Sequence, residues 1–183
     1  GERELAILTK DGVTVINSYG ERVNCVYEHI DWDASAAEKC GYPHFMIKEI
    51  MEQPEAIAKT IAPRISNGRI ELGFKHITAE MLKKVNSIKI IGCGSAYHVG
   101  FVAGYFMRAA LRIPVESVLA SEFRYDDPIV DENTLAIVIS QSGETLDTLY
   151  GLREAKKHGA KTIAIVNVVG STIANESEDV LYT

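Results

Sequence analysis

The sequence predicts an α/β protein: a flavodoxin-like three-layer sandwich with a five-stranded parallel sheet, preceded by a short β-hairpin segment and a helical linker. Three observations carry that class. From Ser87 onward, short Ile- and Val-rich runs alternate with helix-length stretches. Runs such as Leu135-Ala136-Ile137-Val138-Ile139 lack polar alternation, which suits strands buried on both faces of a parallel sheet. The length of 183 residues and hydrophobic fraction of 46% fit one ordinary α/β domain with a smaller appendage.

In chain order, residues 5–9 and 13–16 flank the turn Lys10-Asp11-Gly12 as a hairpin. A second turn at 18–21 leads to a third strand at 23–27. Three short strands build little core, so they are expected to be the edge of a sheet whose remainder lies elsewhere. Residues 32–43 read as a connector, in which Ser35 and Glu38 have capping-box spacing. That spacing predicts a helix of one or two turns ending at Gly41, stopped by Tyr42-Pro43. Residues 44–65 carry helical periodicity through Phe45, Ile47, Ile50, Met51, Ile57, Ile61 and Ile65. Pro54 is expected in the first turn of a second helix, where its missing N–H is no loss. A short helix follows at 78–85. Strands are predicted at 88–91, 115–119, 135–139, 162–166 and 180–182, and helices at 97–111, 145–158 and 171–175, with a short one beginning at Ser121. Right-handed crossovers then give a doubly wound sheet of order 2-1-3-4-5.

Composition narrows the function. The formal charge of −6 and pI near 5.4 speak against a nucleic-acid or anionic-membrane surface. They leave room for a phosphate ligand, because backbone N–H groups at a helix start hold phosphate without net basic charge. Cys25, Cys40 and Cys93 show no CxxC spacing, so neither a disulfide framework nor a metal site is indicated. No apolar run approaches the ~20 residues of a membrane span and no signal-peptide pattern opens the chain, so a cytoplasmic setting is expected. The missing initial Met and the strand-like run at Leu5 suggest a segment of something longer.

In the 2-1-3-4-5 order the first and third strands are neighbours, and their following loops diverge to leave a ligand crevice. The first strand ends in Gly92-Cys93-Gly94-Ser95-Ala96-Tyr97-His98, the third in Ser140-Gln141-Ser142-Gly143-Glu144-Thr145. The second turn offers the hydroxyls of Ser140, Ser142 and Thr145 and the Gln141 amide, with Gly143 allowing close backbone approach. Added to the positive end of a helix, this chemistry matches a phosphate monoester. The alternative is that Ser142 merely N-caps the helix. In the first turn, Ser95 and nearby N–H groups are candidates for sugar hydroxyls, against the alternative of tight glycine packing. A nicotinamide reading fits poorly: Tyr97 replaces the third glycine, and Glu116 lies near the start of its strand. Cys93 lacks a histidine in any recognisable nucleophile motif, His98 reads as a packing or surface residue, and the pairs Lys83, Lys84 and Lys156, Lys157 read as solvated faces. Residues 121–125 fit either a subunit interface or a solvated loop with one buried aromatic.

With these motifs in place, the chain resembles the glutamine–fructose-6-phosphate aminotransferase (isomerizing) family, also called glucosamine-6-phosphate synthases. The resemblance rests on the turn at 140–145 with Asp147, Thr148 and Leu149, the turn at 92–98, residues 120–125 and residues 164–171. Upstream it extends to 42–50 and to Glu52-Gln53-Pro54. It implies three parts: residues 1–31 as the closing strands of a truncated glutaminase domain, 32–43 as linker, and 44–183 as the first sugar-isomerase (SIS) domain. The family takes ammonia from glutamine and delivers it to fructose 6-phosphate, yielding glucosamine 6-phosphate. By resemblance, Ser140, Gln141, Ser142 and Thr145 match positions that hold the sugar phosphate, and Cys93, Gly94 and Ser95 match the turn beside the sugar. The family commonly has Thr-Ser where this sequence has Ser95-Ala96, so Ala96 removes one hydroxyl.

The same resemblance implies what this segment lacks. The glutaminase nucleophile is an N-terminal cysteine, and the lysine, glutamate and partner-subunit histidine of ring opening and isomerisation belong to a second isomerase domain beyond Thr183. No catalytic residue is therefore expected here, no cofactor is called for, and binding without turnover is the expectation. The implied partners are fructose 6-phosphate or glucosamine 6-phosphate and a second subunit, as a homodimer through the isomerase domain. Two other readings stay open: a non-catalytic sugar-phosphate sensor domain, which would call for a basic helix-turn-helix upstream, and a sugar-phosphate isomerase or deglycase without glutaminase.

Overall fold

The structure, a computed structural model, describes residues 3–25 and 38–183. Contacts divide the chain into two units, Gly1–Asp33 and Ala34–Thr183. The first holds an antiparallel meander of β1 (Glu4–Thr9), β2 (Gly12–Asn17) and β3 (Arg22–Val23). Asn17 shapes its second turn, the side-chain oxygen accepting from the N–H of Tyr19 at 2.9 Å and of Glu21 at 3.0 Å. Every residue of β1 is exposed, as expected of strands that build no core of their own. The end of the predicted third strand and the capping box at Ser35 lie outside the described residues.

The second unit begins with α1 (Phe45–Ile61), which runs unbroken through Pro54. The expected start of a second helix at Pro54 is therefore wrong. A proline inside a helix leaves the carbonyl four residues earlier, that of Ile50, without its N–H partner. Both residues are exposed, so that carbonyl faces water and the helix continues past it. A 3₁₀ turn (Ala62–Arg64) then leads into a small hairpin, β4 (Ile65–Ser66) and β5 (Arg69–Ile70). Its two-residue loop, Asn67 at φ +51° and Gly68 at φ +72°, has the positive dihedrals that Asn-Gly hairpins favour. In α2 (Ala79–Leu82) the Thr78 hydroxyl caps the first turn, accepting from Met81 N–H at 3.2 Å.

The apolar runs beyond Ser87 form β6 (Ser87–Gly92), β7 (Val115–Leu119), β8 (Thr134–Ser140), β9 (Lys161–Val166) and β10 (Asp179–Tyr182). All are parallel, in the order β10-β9-β8-β6-β7, which is the predicted 2-1-3-4-5. The crossovers carry α3 (Ser95–Leu111), α4 (Ala120–Phe123), α5 (Leu146–Lys157) and α6 (Thr172–Glu176). On one face Ile88, Ile90, Val115 and Leu135 pack with Ile77, Ala103 and Met107. On the other, Ile91 and Ala136 meet Phe123 and Ala155, while Val138, Ala164 and Val166 meet Leu149, Leu152 and Ile173. Helices reach this core closely because glycines face it. A Cβ on Gly100 would stand 2.7 Å from Ile90 Cγ2, and one on Gly151 2.9 Å from Ile91 Cγ2.

The segment before β6 is fastened to the last strand. The Asp179 carboxylate, 6% exposed, accepts from the N–H groups of Lys75 at 2.7 Å, His76 at 3.0 Å and Ile77 at 2.7 Å. Burial pushes its pKa up, but the three donors and the nearby His76 ring outweigh that and hold it below the usual carboxylate value. Among the described residues, no helix is long and apolar enough to cross a membrane, and no cluster of three His, Cys, Asp or Glu side chains is placed to hold a metal.

Candidate functional site

The order of the sheet reverses at β6, which has β7 on one side and β8 on the other. The chain leaving β6 enters α3 on the Ile90 face, and the chain leaving β8 enters α5 on the Ile91 face. The two loops therefore part and leave a crevice at the carboxyl ends of the strands. Gly92 lies opposite Ile139 in the ladder, so the turns at 92–98 and 140–145 start side by side. A bond between them fixes this approach: the fully buried Thr148 donates its hydroxyl to Cys93 Sγ at 3.6 Å.

The turn after β8 is built from within. Ser140, 3% exposed, turns inward, its Oγ accepting from Gly143 N–H at 3.1 Å and lying 3.0 Å from Thr145 Oγ1. Ser142 Oγ accepts from Glu144 N–H at 3.2 Å, a bond inside the loop. α5 starts only at Leu146, with Thr145 as N-cap and no side-chain cap bond. Capping by Ser142, the bland alternative for this motif, is thus not what the structure contains. The first N–H groups of α5 have no intrahelical acceptor, and the helix dipole adds positive potential there. Gln141 is exposed and Ser142 and Thr145 are half-buried, so amide, hydroxyls and helix end share one rim. Such a rim suits a small anion.

In the first turn Gly94 takes φ +54° and ψ −128°, a backbone region that only glycine enters readily. Space is not the constraint, since a Cβ there would meet nothing within 4 Å. The Cys93 carbonyl accepts from Ala96 N–H at 3.1 Å and from Tyr97 N–H at 3.4 Å. That tightens the entry to α3, which begins at Ser95, two residues before the predicted start. Ser95 is exposed, while Cys93 is half-buried and occupied by Thr148. The structure therefore brings all seven predicted positions to one end of the sheet, with Ser140 and Cys93 facing inward.

Other readings resolve as well. Phe123 is buried at 2% exposure while Tyr125 is open at 78%, and the Arg124 guanidinium lies 4.2 Å from the Tyr150 ring centroid. The segment at 121–125 thus carries one buried aromatic and one exposed one, features common to both of its readings. Glu116 pairs with Lys89 on the neighbouring strand, far from the strand ends where a ribose would sit.

Three residues escaped sequence reasoning. Thr148 joins the two turns, a role that its place in the motif after residue 145 did not reveal. Glu144 reaches out of the loop to accept from Thr172 N–H at 2.7 Å. Ser171 is the N-cap of α6 yet makes no cap bond; its buried Oγ finds no hydrogen-bond partner among the described residues. It packs against Gly143, where a Cβ would stand 2.0 Å from that oxygen. Both contacts bind parts of the chain far apart in sequence, which spacing does not reveal.

A doubly wound domain with paired polar turns at its switch point is the architecture of ligand-binding α/β folds, and the chain belongs to the SIS domain family, which it matches over residues 81–183. More particularly, it is similar to isomerizing glutamine–fructose-6-phosphate aminotransferases along its entire length. The one from Clostridium tetani is 52% identical over 183 residues, all of this chain and 30% of the relative. That from Streptomyces coelicolor is 49% identical over 184 residues, again all of this chain and 30% of the relative. The chain thus spans about a third of the length of the curated relatives it matches. Among solved structures, the C-terminal domain of the Francisella tularensis glucosamine-fructose-6-phosphate aminotransferase superposes with a TM-score of 0.74 at 40% identity, covering 80% of this chain and 41% of that one. A glucosamine-6-phosphate deaminase from Thermotoga maritima superposes at 0.60 with 25% identity, over 76% of this chain and 40% of that one.

Proposed function

We propose that this chain is the sugar-phosphate-holding part of an isomerizing glutamine–fructose-6-phosphate aminotransferase, and that it binds the sugar phosphate without turning it over. Residues 44–183 act as the first SIS domain, 32–43 as linker, and 1–31 as the closing strands of a glutaminase domain. The phosphate sits on the rim formed by Gln141, Ser142, Thr145 and the start of α5, with Ser140 bracing the turn from beneath. The sugar hydroxyls face the turn at Cys93, Gly94 and Ser95. The working form is a homodimer through the isomerase domain, in a cytoplasmic protein.

The observation that carries this reading is the uncapped start of α5. Three hydroxyls crowd it and shape the loop through bonds among themselves and to its N–H groups, while the first N–H groups of the helix have no intrahelical acceptor and can receive an anion. Calorimetric titration with fructose 6-phosphate and with fructose tests it. Binding of the phosphorylated sugar alone is expected, and the Ser142→Ala, Thr145→Ala double variant should weaken it with little change in melting temperature. Equal weak heats for both sugars would overturn the phosphate assignment.

A further inference from the structure

The loop proposed to hold phosphate is splinted from outside by the connection between β9 and α6. Asn167 N–H donates to the Gln141 carbonyl at 3.1 Å, and Ile173 N–H to the Gly143 carbonyl at 3.0 Å. Thr172 N–H donates to Glu144 Oε1 at 2.7 Å. Ser171 closes the gap by packing against Gly143, which sits at φ +67°. Of the three bonds, two use backbone carbonyls at both ends of the splint and one uses a side chain. That side chain is a carboxylate, standing in the very loop that is to receive an anion.

We propose that Glu144 is a positioning residue for the sugar-phosphate site: by capping α6 it fixes the 142–145 backbone and parks its own negative charge on the α6 start. The cap is the physical core of the idea. Ser171 holds the N-cap position without using its hydroxyl as a cap, so the first N–H of α6 is satisfied by Glu144, borrowed from another loop. A carboxylate accepting from a helix-start N–H is held by a charge-assisted bond in a favourable dipole. Freed from that bond, it would swing within reach of the phosphate rim and repel its occupant. The loop would also lose the splint bond nearest α5. Glu144 is exposed and touches no core, so its role is conformational and electrostatic.

The donor can be removed as cleanly as the acceptor. Thr172 is the first residue of α6, a position where proline is well accepted. Ser171 before it has φ −65° and ψ +157°, the extended conformation that a following proline favours. Thr172→Pro therefore deletes the N–H while leaving the helix start intact. This inference rests on the phosphate reading above, so the experiment has two arms. In the first, the chain and its Glu144→Ala, Thr172→Pro, Glu144→Gln and double Glu144→Ala, Thr172→Pro variants are titrated with fructose 6-phosphate.

Glu144→Ala and Thr172→Pro should each weaken binding about tenfold, equivalent to about 1.4 kcal/mol. Glu144→Gln keeps the acceptor oxygen and should stay within about threefold of the parent. The double variant should be no weaker than either single, because both remove one bond. Additive losses, or parent-like binding by both single variants, would overturn the proposal. In the second arm, amide hydrogen exchange without ligand compares the parent with Glu144→Ala. Faster exchange at Gly143 and Glu144 is expected, whereas acceleration confined to Thr172 would reduce Glu144 to a cap and overturn the positioning role. If the parent binds no fructose 6-phosphate, the phosphate reading fails while the exchange arm still decides whether Glu144 sets the loop.

Discussion

Replacing Gly143 by alanine attacks the loop at its tightest point. Two costs add. Gly143 has φ +67°, and placing an L-residue there costs about 1–2 kcal/mol. The new Cβ would stand 2.0 Å from Ser171 Oγ and 2.4 Å from Ser171 Cβ, so α6 must move off the loop, an overpacking cost of about 1–3 kcal/mol. Lower chain entropy in the unfolded state returns about 0.5–1 kcal/mol. The net destabilisation is then roughly 1–4 kcal/mol, a sizeable part of the ~5–15 kcal/mol typical of a domain. The two terms separate in a double-mutant cycle. Ser171→Gly removes both clashing atoms and by itself costs only a few tenths of a kcal/mol at an N-cap, on the order of measured Ser-to-Gly changes. The Gly143→Ala, Ser171→Gly pair should recover the steric part and keep the dihedral part, a coupling of about 1–3 kcal/mol. Urea unfolding with matched m-values reads each quantity. A single-variant loss under about 1 kcal/mol, or a pair no more stable than Gly143→Ala alone, would refute the reasoning.

The remaining predictions concern the fastenings around the site. Asp179→Asn keeps shape but weakens the grip on Lys75, His76 and Ile77, and should cost about 1–3 kcal/mol near neutral pH. Its sign with pH follows from the lowered pKa. The parent's advantage is full above the unfolded carboxylate value of about 3.9 and is lost as pH falls through the lower folded value. Urea midpoints of parent and variant should therefore converge below about pH 4, and parallel curves down to acid would contradict the clamp. Thr148→Val, nearly isosteric at a fully buried position, removes the bond to Cys93 and should cost about 1 kcal/mol. A thiol-exchange assay should find Cys93 more reactive in that variant, and unchanged reactivity would mean the two turns are not joined through that bond.

The sheet was legible because its code is local. Apolar runs such as 135–139 name the inner strands, largely buried in the structure, shorter Val- and Leu-containing runs name the edge strands, and the chirality of crossovers then restricts their order. The polar turns were legible for the same reason, since hydroxyls and glycines cluster within six residues. Spacing could not show the direction of each side chain: Ser140 and Cys93 face inward because of partners at Gly143, Thr145 and Thr148. Pro54 misled because its helix has a wet side that tolerates the lost bond. The Asn67-Gly68 hairpin carried a readable turn signal, overlooked beside the longer helical pattern. Asp179 and Glu144 were unreadable in principle, since their partners lie 102–104 and 28 residues away.

The Asp179 clamp also bears on the order in which the molecule is made. The amides of 75–77 come off the ribosome a hundred residues before the carboxylate that receives them. At ~5–20 residues per second that is a wait of roughly 5–20 seconds. Until β10 docks on the edge of β9, the stretch leading into the first parallel strand lacks its hydrogen-bond clamp and is held by the packing of Phe74 and Ile77 alone. The N–H of Ile77, whose side chain ends in the core at 5% exposure, is without its carboxylate acceptor for that interval. The last strand is thus a latch that closes over work begun much earlier, and a nascent chain stalled short of Asp179 should display the 73–77 segment to proteases that the finished domain excludes.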